Sequence, residues 1–330
     1  MKVGTLTYAT DQGLSYLVRD FYTHGIVTDV LIVRHGRRET HEDWYPRSTV
    51  IASLKGQVGD MRDFCTSMDA MLFFETPFRW RLVEHCRRAG VRTVLMVMHE
   101  CSAEKLDETP DVILCPSMLD HRCFPNGVYM PVPVEVPWRL RTHAKVFVHN
   151  AGNGGILGRN GTRELYEALQ YVKNPIKLIF RAQEQIDGLP KTPDCCIENV
   201  LIDYRFGTQP KETLWDEGDV FVFPEKFNGL SLPLQEARAA GMLVMTTNRF
   251  PNNEWLPNDP LIPMNGTHRY RIGTRFREFD VARVDPKSIA QRMDDWYGQD
   301  ISAYSAQGRV WAETRSWEVL KPKYLDVLCA

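Results

Sequence analysis

Short apolar runs separated by helix-length stretches recur along this chain, and that alternation restricts what it can fold into. Val3–Tyr8, Thr28–Val33, Ala70–Phe74 and Arg92–Met98 read as strands, with a short one at Val112–Cys115 stopped by Pro116. Leu14–Tyr22 and the stretch after Phe74, to about Ala89, read as helices. Strands alternating with helices predict a parallel sheet joined by crossover helices. The series breaks at Met130–Pro137, where MPVPVEVP is too rich in proline for a helix and reads as an extended linker. It then restarts with a strand at Lys145–His149, a glycine-rich loop at 151–161 and a helix at Thr162–Val172. Strands at Ile176–Arg181, Val200–Tyr204, Asp219–Phe223 and Leu243–Thr247 follow, with a helix at Leu232–Ala240. The last ~45 residues read as helical.

The fold class expected is therefore α/β, with two tandem Rossmann-like, doubly wound domains at 1–135 and 136–330. The length, 330 residues, agrees, because a single core rarely grows past ~250–300 residues. Open α/β sheets bind ligands at the carboxyl ends of their strands, so a cleft between the two domains is the expected site.

Composition narrows the function classes. Hydrophobic residues at 43% and charged residues at 25% exclude a disordered, collagenous or coiled-coil chain. A net charge of −2 argues against a polycation that coats nucleic acid. The opening MKVGTLTYATDQG turns polar too soon for a secretory leader. No apolar run approaches the ~20 residues of a membrane span, so no integral membrane segment is expected. None of the eight cysteines forms a CxxC pair, which argues against a zinc knuckle. Reduced thiols in a cytoplasmic protein are the expectation, with Cys195-Cys196 a vicinal pair.

Two segments carry chemistry. In the loop AGNGGILGRNG, glycines 152, 154, 155, 158 and 161 clear side chains from a strand end. Backbone amides there and Arg159 suit a phosphate. The loop is neither a dinucleotide GxGxxG nor a Walker A, since no GK[ST] follows. The second segment, GDVFVFPEKFNGLSLPLQEARAAGMLVMTTN, runs from a strand through a loop into a helix with Pro233 near its start. The amides of Gly229, Leu230 and Ser231 are placed to meet an anion or a sugar hydroxyl. Glu236, expected in the helix's first turn, is placed to accept from a ribose diol.

The order Pro224, Asn228-Gly229-Leu230-Ser231-Leu232-Pro233, Glu236-Ala237, Ala240-Gly241 and Val244 resembles the donor-site signature of retaining glycosyltransferases of GT-B fold, family 4 type. The glycine-rich loop and the tail SWEVLKPKYLDVL resemble other parts of that family. The resemblance covers most of 145–330, and the N-terminal half more weakly. It implies an acceptor-binding domain at 1–135 and a donor-binding domain at 136–330, with the last helix packing back on the first. It implies metal-independent transfer of a sugar, with retention, from a nucleotide-diphosphate sugar, a UDP-sugar favoured, to a hydroxyl. No cofactor is implied, and no DxD motif is present.

Carried over to matching positions, Glu236 would hold the ribose, and Gly229, Leu230 and Ser231 the sugar or phosphate. Lys226 falls where the family often has a basic residue. His99, with Glu100 beside it, follows the strand RTVLMVM, where the family often has a histidine that touches the donor sugar. The departures are Asn228, eight positions before Glu236 in place of a glutamate, and Asn153 and Asn160 in place of Arg and Lys. An amide still hydrogen-bonds but brings no charge. Arg159, Arg181 or Lys226 would supply the missing positive charge against the departing diphosphate.

The expected catalytic residues are thus His99, Glu100, Arg159 and Asn228. The expected donor-binding residues are Gly13, Gly155, Asn160, Arg181, Tyr204, Lys226, Gly229, Leu230, Ser231 and Glu236, with no metal ligand. Gly13 opens a second strand-to-helix turn after Asp11-Gln12, and Tyr204 or Phe206 would stack on the base. Arginines 34, 37, 38, 79, 81, 87, 88, 139 and 141 lie among Trp44, Tyr45, Phe78 and Trp80. That mixture suits a phosphate-bearing acceptor. The acceptors in view are a glycan, a lipid-linked sugar, or a hydroxymethylated base in viral DNA, which would have to be flipped or exposed. A nucleotide-sugar-binding protein without catalysis is the reading from another class, motivated by the three asparagines.

Overall fold

A computed structural model of the chain describes residues 1–54, 57–190, 195–256, 259–274 and 276–330. The chain divides into two compact units. The first comprises Met1–Pro133, Arg271–Arg277 and Trp317–Ala330, and the second Val134–Tyr270 and Glu278–Ser316.

The first unit is built on seven strands: β1 (Val3–Thr7), β2 (Asp29–Val33), β3 (Thr49–Ile51), β4 (Ala70–Glu75), β5 (Arg92–Val97), β6 (Val112–Cys115) and β7 (Val128–Tyr129). They lie in the order β3-β2-β1-β4-β5-β6-β7, and every pairing is parallel. The central strands β4 and β5 are apolar almost throughout because helices cover both of their faces. The helices are α1 (Gly13–Thr23), α2 (Val58–Thr66), α3 (Arg81–Arg88) and α4 (Met118–Cys123). Helix α1 buries Leu17, Val18 and Phe21 on one face.

The second unit holds β8 (Val146–Gly152), β9 (Ile176–Ala182), β10 (Cys196–Ile197), β11 (Val200–Phe206), β12 (Val220–Phe223) and β13 (Leu243–Thr246), in the order β10-β11-β9-β8-β12-β13. All pairings but the short antiparallel β10–β11 are parallel. Its helices are α5 (Thr162–Ala168), α6 (Leu232–Ala239), α7 (Asn252–Trp255), α8 (Pro286–Trp296) and α9 (Ser302–Glu313). A separate two-stranded sheet, β14 (Met264–Arg271) with β15 (Glu278–Val284), has no counterpart in the sequence reading.

The last helix, α10 (Trp317–Cys329), belongs to the first unit. It buries Trp317, Leu320, Tyr324 and Leu328 along one stripe. Phe21 meets the rings of Trp317 and Tyr324 edge-on at 5.2 and 4.9 Å, and the Tyr324 hydroxyl donates to the Pro131 carbonyl at 3.0 Å. Of the boundaries that move from their expected places, two belong to the elements flanking the glycine-rich segment. Strand β8 runs past His149 to Gly152, with a bulge between Asn150 and Gly152, so the glycine-rich stretch begins inside the strand. Helix α5 ends at Ala168 and gives way to a 3₁₀ turn at Leu169–Tyr171. No helix among the described residues is long and apolar enough to cross a membrane.

Candidate functional site

The strand order of the second unit locates its site. From β8 the chain moves to β9 on one side and later to β12 on the other, so the direction of winding reverses between β8 and β12. At such a switch point ligands bind outside the carboxyl ends of the strands, against the loops that leave them. Those loops are 153–161 and 224–231, the two segments that the sequence singled out. The Lys226 amide donates to the Arg159 carbonyl at 2.7 Å, joining them. Gly161 makes the close approach possible. It sits at φ +67°, and a Cβ there would collide with the Pro224 carbonyl.

Beneath this junction lies His149, wholly buried. Its Nδ1 is 2.8 Å from the Val222 carbonyl, which can only accept, so Nδ1 carries the proton. Its Nε2 then accepts from the Thr162 hydroxyl at 2.9 Å. One neutral imidazole thus ties β8 to β12 and to the first residue of α5. Burial lowers its pKa from 6.5 to about 4, against a smaller opposing effect of the Val222 bond.

The loop 225–231 is organised by a carboxylate that the sequence reading passed over. Glu225 is 0% exposed and pairs with Arg249, 7% exposed, at 2.6 Å. One of its oxygens accepts from the Asn228 amide at 2.9 Å and the Ser231 hydroxyl at 3.0 Å, the other also from the Asn252 amide at 3.3 Å. Arg249 reaches the Asn228 carbonyl at 3.0 Å as well. Ser231, at φ +46°, turns the chain into α6 in the left-handed region.

This arrangement places each expected residue. Asn228 is turned into the loop: its amide group donates to Glu225 and its oxygen accepts from the Leu230 amide at 3.1 Å. The Leu230 amide and the Asn228 side chain are therefore already engaged with each other. Gly229, Leu230 and Ser231 are buried with them. Glu236 sits beyond the first turn of α6, not in it, because the helix opens at Leu232. It is half-buried and accepts from Trp215 Nε1 at 3.2 Å. Asn160 braces the glycine-rich loop by donating to the Ala151 carbonyl at 2.8 Å. Gly155, at φ +69°, leaves room for the Arg159 side chain, whose Cγ lies 2.8 Å from where a Cβ would be.

Arg181 is buried near the end of β9, donating to the Leu214 carbonyl at 2.6 Å. Burial lowers its pKa, and the neighbouring Arg205 adds to the effect. Its Nε and the Asn150 Nδ2 on the paired strand are buried donors with no hydrogen-bond partner among the described residues. Buried donors left in that state are costly. Tyr204 packs on Phe180 at 5.8 Å, while Phe206, next along that face of β11, is exposed. Lys226 points along the glycine-rich loop and pairs with Glu164 of α5 at 2.9 Å. The signal that was available for Glu225 is its place directly after a buried strand and Pro224. For Arg249 there was none, because it comes from the far end of β13.

In the first unit the strand order reverses between β1 and β4. The loops leaving these strands carry Tyr8 and Phe78, whose rings lie 4.9 Å apart, with His35 edge-on to Tyr8 at 5.2 Å. Ala9 and Glu75 there adopt φ of +48° and +65°. Of these residues the sequence had singled out only Phe78, among the aromatics that accompany the arginines. Gly13 is exposed at the start of α1, and Asp11 beside it is taken up by Tyr16 at 2.8 Å and His41 at 3.2 Å. The arginine-and-aromatic set divides. Trp44 stacks on His41 at 4.6 Å with Arg19 over its ring, Tyr45 is buried, and Arg141 is buried in the second unit, donating to the Gly218 and Trp215 carbonyls.

His99 and Glu100 follow β5, one strand further from the reversal. Both are buried. His99 Nδ1 lies 3.0 Å from Glu100 and 3.2 Å from Asp120. These three are the described residues that could hold a metal ion, with one ligand atom from each inside 4.8 Å. The donor set fits one poorly. Asp120 already accepts from the His99 amide, His99 Nδ1, the Ser117 amide and the Ser117 hydroxyl, which occupies the lone pairs of a carboxylate. The cluster is a hydrogen-bonded mount for His99, anchored by the capping box of α4.

Solved structures share this architecture. HepE from Anabaena in complex with UDP is 10% identical, with all of both chains covered and a TM-score of 0.67. The same protein in complex with UDP-glucose is 11% identical over 100% of this chain and 99% of its own, at 0.64. Sucrose-phosphate synthase from Thermosynechococcus elongatus is 11% identical over 99% of this chain and 98% of its own, at 0.63. The fold is that of the GT-B glycosyltransferases. At these identities the likeness is one of fold. No protein-family model matches the chain, and no curated protein does.

Proposed function

We propose that the chain is a retaining glycosyltransferase that moves a sugar from a nucleotide-diphosphate sugar, a UDP-sugar by preference, to a hydroxyl acceptor. The observation that carries this reading is the convergence of loops 153–161 and 224–231 at the winding reversal of the second unit. The structural neighbours crystallised with UDP and UDP-glucose support the choice of donor.

In this reading Lys226, with Arg159 from the facing loop, offsets the charge that grows on the diphosphate as the anomeric bond breaks. Glu236 accepts from the ribose hydroxyls. The unpartnered donors of Asn150 and Arg181 face the donor, and Tyr204 and Phe206 flank its base. Transfer passes through an oxocarbenium-like state. The acceptor oxygen bonds to the anomeric carbon as the phosphate oxygen leaves, and that oxygen takes the hydroxyl proton on the same face. The scheme calls on no metal and no second carboxylate. Asn228, held inside its loop, has no role in it beyond shaping that loop.

A thermal-shift screen of nucleotides and nucleotide sugars tests the donor. A ligand that binds only the folded chain raises its apparent stability, so UDP is expected to raise the melting temperature. A chain indifferent to every nucleoside diphosphate sinks the proposal. The enclosure of Asn228 favours one second reading, a nucleotide-sugar-binding protein without turnover. Firm UDP binding with neither transfer nor donor hydrolysis over an acceptor panel would select it.

A further inference from the structure

Glu164 has no place in the scheme above, yet it holds one of the two cations assigned to the diphosphate. Its carboxylate meets Lys226 Nζ at 2.9 Å, with the two side chains 21% and 17% exposed. The Lys226 backbone is fixed on both sides: its amide donates to Arg159 at 2.7 Å, and its carbonyl accepts from the Ala282 amide at 2.9 Å. Only the side chain can move. The ammonium lies against the glycine-rich loop, 3.6 Å from where a Cβ on Gly158 would be. Asn153 and Asn160 leave Arg159 as the only cationic residue in the stretch 151–161, so Lys226 is the cation that reaches that loop from outside it.

The pairing is incomplete. Glu164 engages Lys226 through one oxygen, and the other, Oε2, is buried with no hydrogen-bond partner among the described residues. A carboxylate so placed is under-satisfied, and its pair is easier to open than one bonded through both oxygens. A diphosphate brings more charge and more acceptor oxygens than one carboxylate.

We infer that Glu164 is an internal counter-ion for Lys226, occupying its ammonium in the empty protein and yielding it to the diphosphate of the donor. The inference rests on the donor-site reading above. Glu164 thereby sets donor affinity without touching the reacting atoms, and it makes the site selective for ligands charged enough to displace it.

Titration calorimetry at low salt, with UDP and separately with inorganic pyrophosphate as probes, tests this on the full chain. Glu164→Gln keeps the size of the side chain and frees Lys226, so it is expected to tighten both ligands by about five- to tenfold. Lys226→Ala should weaken both by about tenfold or more. The double variant should match Lys226→Ala, because the counter-ion has nothing left to release. Melting temperatures near that of the unaltered protein would establish that the variants fold. Tight UDP binding that Glu164→Gln leaves unchanged or weakens overturns the inference and spares the donor site. The same tightening in the Lys226→Ala background also overturns it, since the effect would then be bulk charge. Failure of all four proteins to bind either probe overturns the inference together with the donor-site reading.

Discussion

Glu225 and Lys226 are neighbours in the chain, and each has an ion-pair partner, but the two pairs differ in kind. Glu225 is wholly buried, with both oxygens bonded to Arg249, Asn228, Ser231 and Asn252. Lys226 is partly open to solvent, and its partner Glu164 is bonded through one oxygen only. A charge removed from water must have its hydrogen bonds met, and once they are met the arrangement is expensive to disturb. A pair near the surface gains little and exchanges readily. Two adjacent residues thus differ in what they do for one loop: Glu225 sets its shape, and Lys226 keeps a partner that is bonded through one oxygen.

Four substitutions would break or sharpen that contrast. The largest effect is expected from Arg249→Ala, which strands the Glu225 carboxylate in the core. It should cost about 3–5 kcal/mol in urea-induced unfolding, whereas Lys226→Ala should cost ~1 kcal/mol or less. Equal costs would dissolve the distinction.

Next in size is an acid sensitivity that belongs to the fixed part of the site. His149 is neutral in the fold, with a pKa lowered from 6.5 to about 4 by burial. Between those values the unfolded chain binds the extra proton, so stability rises with pH across the window. The contribution is complete above about 6.5 and fades as pH falls through about 4, amounting to roughly 3 kcal/mol. His149→Gln, whose amide can both donate and accept, should flatten this part of the curve of unfolding free energy against pH. A curve no flatter than that of the unaltered protein would remove His149 from the account.

Glu236→Ala should perturb folding about as little as Lys226→Ala. It removes the acceptor for Trp215 Nε1, at about 1 kcal/mol of stability, and should weaken UDP binding by about 1–3 kcal/mol. Calorimetry showing unaltered UDP affinity would take Glu236 out of the ribose site.

Both sheets were legible in the alternation of apolar runs, since a strand covered on both faces must be apolar along its length. The two segments at the winding reversal were legible as well, one from its glycines, the other from its residue order. The way that side chains turn within them was not. Asn228 was expected to face a ligand, yet it faces Glu225, because Arg249, twenty-one residues later, brings a guanidinium to that spot. Glu236 was expected in the first helical turn and lies beyond it, as α6 opens at Leu232. The sheet β14–β15 went unseen. Strand β14 is exposed along nearly its whole length, so it has no apolar face to reveal its period.

From residue order alone came the α/β class, the repetition of the pattern in two halves, and the two strand-end loops that meet at the winding reversal. These depend on local periodicity and on glycine and proline, which act over a few residues. Strand order and the partners of Glu225, Lys226 and His149 were decided by tertiary structure. Each depends on groups far apart in the chain, and which buried charge meets which is settled only when the core closes around them.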